Sequence, residues 1–488
     1  MRKGMLISIL ILLSSHLFAQ VQYVDIQLKK DCDHYDPVNR TCDSASGTVS
    51  AINSMDKALA NVQPGDTLLL RSGRYAPIVI QHSGSASHPI TIQGADNEQV
   101  IISGTRVGVV IQQQHHVTIR NLQVNGVQGF ARLENASDII FDNIDFSHAS
   151  ASGTTGSLKI VSSQYNKVLN SHFSHGSDLL ILQDDANFNV IQGNTFATSE
   201  HSSISVRCSS HNVLRHNTFN NPRQKALEIY DCQGVSDAPI RYQATKRNLI
   251  EKNNFVGTRG SSRDYKYNAI QHCGQSTIVR QNIFTGNLGG GVNYQFYPKE
   301  CLNVYDNKLY NNTFYNNRCF AIMGSKKKAK GYHDNIAINN LLYKNMNCKG
   351  EWGQVSIKNA ETVFLDNNSL VDKDPGFIDP VSGDLRLTAD SKQIDRGDFM
   401  TQTRSSGSGT VLPVKDVSWF YDGFSISGEQ GDIIKIEGHT ETATIISIDI
   451  EHNTLILSNS LTWGKRDGVH LNYAGKAPDI GAFEYQLK

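Results

Sequence analysis

Arg207 and Tyr230 stand 23 residues apart, in the short alternating runs SISVRC (203–208) and ALEIYDC (226–232). In a strand, residues two apart share a face. With Ile204, Val206, Leu227 and Ile229 turned inward, Ser205, Arg207, Glu228 and Tyr230 are expected to face outward, with Asp231 following. The longer stretch RDYKYNAIQHC (263–273) adds Lys266, Asn268 and His272, and GGGVNYQFYPKE (289–300) adds Asn293, Gln295 and Tyr297. Lys159, Lys225 and the acidic pair Asp184-Asp185 complete the set. A guanidinium, an ammonium, a phenol and an imidazole gathered in this way suit β-elimination from a uronate. That reaction needs a cation on the carboxylate, a base for the C5 proton and an acid for the departing C4 oxygen. Arg207 is the expected neutraliser, because its fork matches a carboxylate and stays charged. Tyr230, His272 and Lys266 are the candidate acid and base groups, and Lys159, Lys225, Glu228, Asn268, Asn293 and Gln295 the expected substrate contacts. Glu228 and Asp231 are the carboxylates on offer to a Ca²⁺, the alternative being no cofactor.

These residues acquire a common face only if the chain repeats. It does so about ten times between Val117 and Leu370, in one phrase of an apolar pair, an Asn and a closing apolar residue: IQGNTF, LRHNTF, IEKNNF, VRQNIF, LYNNTF and their kin. The closing residue falls at 124, 146, 173, 196, 219, 255, 284, 314, 342 and 370. A period of this size, with short β-type runs, predicts a parallel β-solenoid in which stacking the coils buries a face that none could bury alone. Asn194, Asn217, Asn253, Asn282, Asn312, Asn340 and Asn368 are expected to form a ladder at a left-handed turn, beside a stack of phenylalanines. By the same ruler Arg207 and Tyr230 lie side by side on neighbouring strands.

The ends and the composition bound the rest. Of the 488 residues, 46 are basic and 46 acidic, so no global field draws the chain to nucleic acid or an anionic membrane. Arg2 and Lys3, an apolar run to Leu13 and small residues up to Ala19 read as a secretory signal peptide (1–19), too short to span a bilayer, which predicts a secreted or periplasmic protein with no membrane span. In that compartment the eight cysteines can pair, Cys32 with Cys42 first; stacked thiols and cross-coil bridges are both open for Cys208, Cys232, Cys273, Cys301, Cys319 and Cys348. A monomer is expected.

An amphipathic helix over 51–62, then PGDTLLLRSGRY and PITIQG, resemble the opening of secreted right-handed parallel β-helix proteins of the pectate lyase type. DPGFIDPVSGDLRL (374–387) and PDIGAFEY (478–485) are similar to that group's closing coil. Between them, residues 405–475 change to longer alternating strands with turns at Gly431-Asp432 and His452-Asn453, which predicts a small antiparallel β-domain inserted between a β-helix (20–404) and its closing segment (476–488). That domain is read as a brace on the end of the solenoid or, through Trp419, Phe420, Tyr421 and Trp463, as a sugar-stacking module.

Residues 203–232 resemble the central coils of the alginate lyase and chondroitinase B family. The resemblance implies an all-β right-handed parallel β-helix and an acidic polysaccharide as partner. In that family one strand carries a Lys base and the next an Arg followed by His; here Arg207 and Tyr230-Asp231 stand at those positions, so the catalytic groups differ. A glycoside hydrolase of the same fold is the alternative, since Gln183-Asp184-Asp185 resembles the paired aspartates of polygalacturonases. A non-catalytic glycan-binding solenoid or adhesin is the other.

Overall fold

The computed structural model describes residues 19–43, 47, 49–149, 157–232, 244–259, 267–295, 301, 303–324, 331–357, 363–371 and 373–486. Lys266, Tyr297 and the signal-like segment up to Phe18 lie outside them. The described chain is a parallel β-solenoid. A typical coil runs through three strands, such as Val190–Gln192, Thr195–Ser199 and Ser202–Arg207. Each pairs in parallel with its counterpart one coil on. The first two faces merge into a 25-stranded set, and the third is an 11-stranded sheet that ends at Val355–Ile357.

The repeat measures the coils without a slip. Val124, Phe146, Phe173, Phe196, Phe219, Phe255, Phe284, Phe314, Leu342 and Leu370 are successive register partners. From Phe146 to Phe314 the rings stack at 4.5 to 5.2 Å between centroids. Each buried ring contributes about 2 to 3 kcal/mol from burial alone.

The asparagine ladder is present, but it stands one residue beyond the left-handed turn. That conformation belongs to the preceding position, at Gly193, His216, Lys252, Gln281, Asn311, Asn339 and Asn367. The ladder residues are chosen for their amides. From Asn194 to Asn340, each gives its backbone N–H and Nδ2–H to the Oδ1 of the next coil's Asn at 2.7 to 3.1 Å. Two further ladders occupy other corners, Asn166-Asn189-Asn212-Asn248 and Asn287-Asn317-Asn345-Gln354. Buried backbone groups at the bends, which no strand partner could reach, are satisfied in this way.

The helix Met55–Asn61 is shorter than expected, because Ala51 and Ile52 belong to a strand. Cys32–Cys42, Cys208–Cys232 and Cys273–Cys301 are bridged, the last two pairs across coils. Cys319 and Cys348 are buried thiols.

Between Thr401 and Leu471 the chain forms a six-stranded antiparallel sheet. It lies along the flank of the solenoid, not on its end. Val190, Val213, Leu249 and Ile278 point outward from successive coils and share one apolar cluster with Leu412, Val414, Ile434, Ile445 and Leu457. Strands covered on both faces have no polar face to show. Trp419, Phe420, Tyr421 and Trp463 are at most 5% exposed and belong to this cluster, so they are core and not a sugar-stacking surface. The Gly431-Asp432 pair is no hairpin either. Asp432 is buried and takes both arms of Arg280 from the solenoid, at 2.7 and 2.6 Å, while Arg280 Nε donates to Glu251 at 2.9 Å.

Candidate functional site

The outward face of the 11-stranded sheet carries two parallel rows. One runs Arg132, Lys159, Ile181, Ser205, Glu228, Gln271, Asn293 and Met323. The other, two residues on, runs Glu134, Val161, Gln183, Arg207 and Tyr230. Arg207 and Tyr230 are direct register partners, as the repeat predicted, so their Cα atoms are about 4.8 Å apart. Both are partly exposed. Gln271 Nε2 donates to the Tyr230 hydroxyl at 3.3 Å, and the backbone carbonyl of Tyr230 accepts from Thr245.

Arg207 has no hydrogen bond or ion pair from its side chain among the described residues, and its buried Nε is without an acceptor. Lys159, on the other row, is likewise unpaired among the described residues. A guanidinium and an ammonium without partners on one face have the charge and donors to take an anion.

Beside this pair lies a polar chain that the sequence reading missed. Asp178 accepts from the Ser202 backbone N–H at 3.0 Å and meets His201 Nδ1 at 2.7 Å. His201 Nε2 faces Lys225 Nζ at 3.4 Å, Lys225 is bonded to Glu228, and Glu228 accepts from the Ser202 hydroxyl at 3.1 Å. The Asp178 hydrogen bond raises the His201 pKa above the usual histidine range against the pull of burial and Lys225. Lys225 Nζ also lies 6.0 Å from the centre of the Tyr230 ring. Lys225 is thus the member of this chain that reaches the Tyr230 ring. Its signal was in the numbering, since Asp178, His201 and Lys225 recur at separations of 23 and 24 residues.

Other expectations are corrected. His272 is the register partner of Ile229, which points inward, and it packs at a tilt against Tyr294 in the core with ring centroids 5.2 Å apart. Burial pushes its pKa down to about 3, so it is neutral and out of reach of substrate; Gln271 holds the outward place. Ile270 pairs with the inward Leu227, and His272, two residues on, shares its face. Lys225 and Glu228 are 5% and 1% exposed and neutralise each other, so they support the surface and do not touch a ligand. Asn268 is buried, donating to the Gly289 carbonyl at 2.6 Å and accepting from Asn293 at 2.9 Å. Gln295 lies beyond the last outward position of its strand, 8% exposed. Asn293 keeps its place in the row with its amide turned to Asn268. Glu228 and Asp231 do not make a calcium site: Asp231 accepts from the Cys232 N–H and from Asn303, Glu228 is paired as above, and no group of three or more potential ligands converges among the described residues. Asp184 accepts from Gln183 Nε2 at 3.0 Å, at the bend that closes its strand.

Residues 107–238 match the family model of a right-handed beta helix region. This gives the hand of the coil and covers the strands of Lys159, Arg207 and Tyr230. None of the curated proteins matches the sequence. Among solved structures the chain is similar to a pectate lyase, Pel9A, with a TM-score of 0.50 and 15% identity over 96% of this chain and 98% of that one. It is similar also to an alginate lyase of family PL6, AlyGC, at a TM-score of 0.46 and 16% identity, covering 75% of this chain and about half (54%) of the other. The catalytic domain of a GH87 alpha-1,3-glucanase in complex with nigerose gives a TM-score of 0.45 at 14% identity over 64% and 67% of the two chains. At 15% identity the likeness to Pel9A shows the fold alone, a β-helix whose right hand the family model gives, as the opening and closing motifs implied.

Proposed function

We propose that the protein is a secreted polysaccharide lyase that cleaves a uronate-containing polymer by β-elimination on the outer face of the 11-stranded sheet. The observation that carries this reading is Arg207, an unpaired guanidinium set one strand from the Tyr230 hydroxyl. Arg207 neutralises the uronate carboxylate, which acidifies the proton on C5. The Tyr230 phenolate takes that proton, the C5–H electrons form the C4–C5 double bond, and the glycosidic oxygen leaves C4 with its bonding pair and takes a proton from the Tyr230 hydroxyl so formed, which restores the phenolate. Lys159 and Gln183, on the coils before, lie along the path of the polymer. The Asp178-His201-Lys225-Glu228 chain positions Tyr230 and keeps a buried ammonium beneath its ring.

The test is ultraviolet absorbance of the unsaturated uronate during incubation with alginate, polygalacturonate and glycosaminoglycans. Arg207→Ala should lower turnover by about 10²- to 10³-fold, and Tyr230→Phe by about 10²- to 10⁴-fold, with folding unchanged. New reducing ends without absorbance would instead mean hydrolysis, and full activity in both variants would remove this groove from the mechanism.

A further inference from the structure

A second recess lies around the corner from this groove, where the flanking antiparallel sheet meets the solenoid. It has a volume of about 300 Å³, at the small end of the range for ligand sites. Its solenoid wall takes His211, Arg247, Ser276 and Asp306 from a ladder of turn residues, one per coil and all with left-handed backbone, that begins outside the recess with Tyr165 and Phe188. The first three rings stack, at 5.2 and 5.0 Å. Arg247 follows on the next coil, and then the ladder drops to a serine. Ser276 thus lines the recess with a short side chain where the ladder positions before it carry long ones, and this is the notch.

The opposite wall is supplied by Val417, Phe420, Phe424 and Ile448. Phe424 packs edge-on to His211 at 5.0 Å, and Phe424 and Ser425 both hold positive φ, 48° and 55°, a costly conformation for a bulky residue and its neighbour. The polar groups are distinct in state. Asp306 accepts from Ser276 and Lys308, and Asp422 accepts from the backbone N–H groups of Phe424 and Ile448. Arg247, by contrast, has no side-chain hydrogen bond or ion pair among the described residues. Burial and the nearby Arg247 and Lys246 hold His211 down to about 4, so it is a neutral ring.

We infer that this notch is a second, non-catalytic glycan site that seats one uronate residue, its carboxylate on Arg247 and its ring against the apolar wall of Phe424 and Ile448. Aromatic and aliphatic surface suits the C–H face of a pyranose. Asp306 and Asp422 keep lone pairs for its hydroxyls, and the Arg247 guanidinium selects an acidic sugar over a neutral one. The inference stands on the recess and does not require the groove to be catalytic.

Calorimetric titration of the full chain tests it, in an Arg207→Ala background so that the groove neither cleaves nor dominates. Trigalacturonate, trimannuronate and triguluronate are the probes, with galactotriose and mannotriose as neutral controls. At least one acidic trimer should bind, and adding Arg247→Ala should weaken it by about tenfold or more. Ser276→Phe should abolish binding by filling the notch; Phe188 already occupies this turn position on another coil, so the fold tolerates the ring. Both variants, placed in the otherwise unaltered chain, should leave the absorbance assay on short substrates unchanged, which separates this site from the groove. Absence of binding by every acidic trimer, equal affinity for the neutral ones, or full affinity in Arg247→Ala would each overturn the inference.

Discussion

At the scale of single residues, the decisive contrast is between Arg207 and His272. Both come from alternating runs and both were candidates for chemistry, yet one is an orphan cation on the surface and the other is sealed in the core. His272→Leu is therefore expected to keep turnover, measured by the same absorbance assay. Its stability should change in a defined direction. A histidine whose pKa falls to about 3 on folding binds fewer protons in the native state than the unfolded chain does, so its contribution is fully present above about pH 6.5 and is lost as pH falls toward 3. Denaturation midpoints for the natural chain should decline over that window, and more steeply than for His272→Leu. Equal slopes would show that this imidazole is not buried neutral.

At the scale of elements, the asparagine ladders join coils that side-chain packing alone would leave free to slide. Asn282 accepts from the backbone N–H and Nδ2 of Asn253, and gives its own Nδ2 to Asn312 and to the Ile250 carbonyl. Replacing it by Ala orphans several buried groups at about 1 to 3 kcal/mol each. Asn282→Ala should thus lower the urea midpoint far more than Asn39→Ala, an exposed loop change. The rows on the 11-stranded sheet depend on this order, because a one-residue slip would send Arg207 inward. Glu228→Ala belongs here also. It leaves the Lys225 ammonium buried and unpaired, a loss of about 3 to 5 kcal/mol, so reduced thermal stability should accompany any loss of activity.

For the whole molecule, the flanking sheet and the solenoid form one structure, held by an apolar seam and a buried ionic cluster. Arg280 reaches Asp432, Glu251 and the Tyr310 hydroxyl, and Arg215 reaches Glu429 at 2.7 Å. Attraction to Asp432, Tyr310 and Glu251 raises the Arg280 pKa against burial, so its charge is permanent. Arg280→Met would strand two carboxylates, at about 3 to 5 kcal/mol. Scanning calorimetry should then show the sheet separating before the solenoid melts; a single transition at the original temperature would contradict this view of the seam.

The repeat by itself determined the coil register from Val124 to Leu370, the phenylalanine stack, one asparagine ladder and the pairing of Arg207 with Tyr230, because a parallel stack converts sequence spacing directly into neighbourhood. Only the tertiary structure decided what lies outside that one dimension. The sheet from Thr401 to Leu471 covers outward positions of the coils, so Val190, Val213 and Leu249 pack against another element and Trp419 lies in the seam. Ile270 and His272 pair with the inward Leu227 and Ile229 across a coil of irregular length, which the regular repeat does not register, so His272 faces in and Gln271 out. Arg247 and Phe424 line one recess across a boundary between two kinds of sheet. Periodicity encodes contacts along the stack; contacts between the stack and what folds back on it depend on surfaces that no local spacing records.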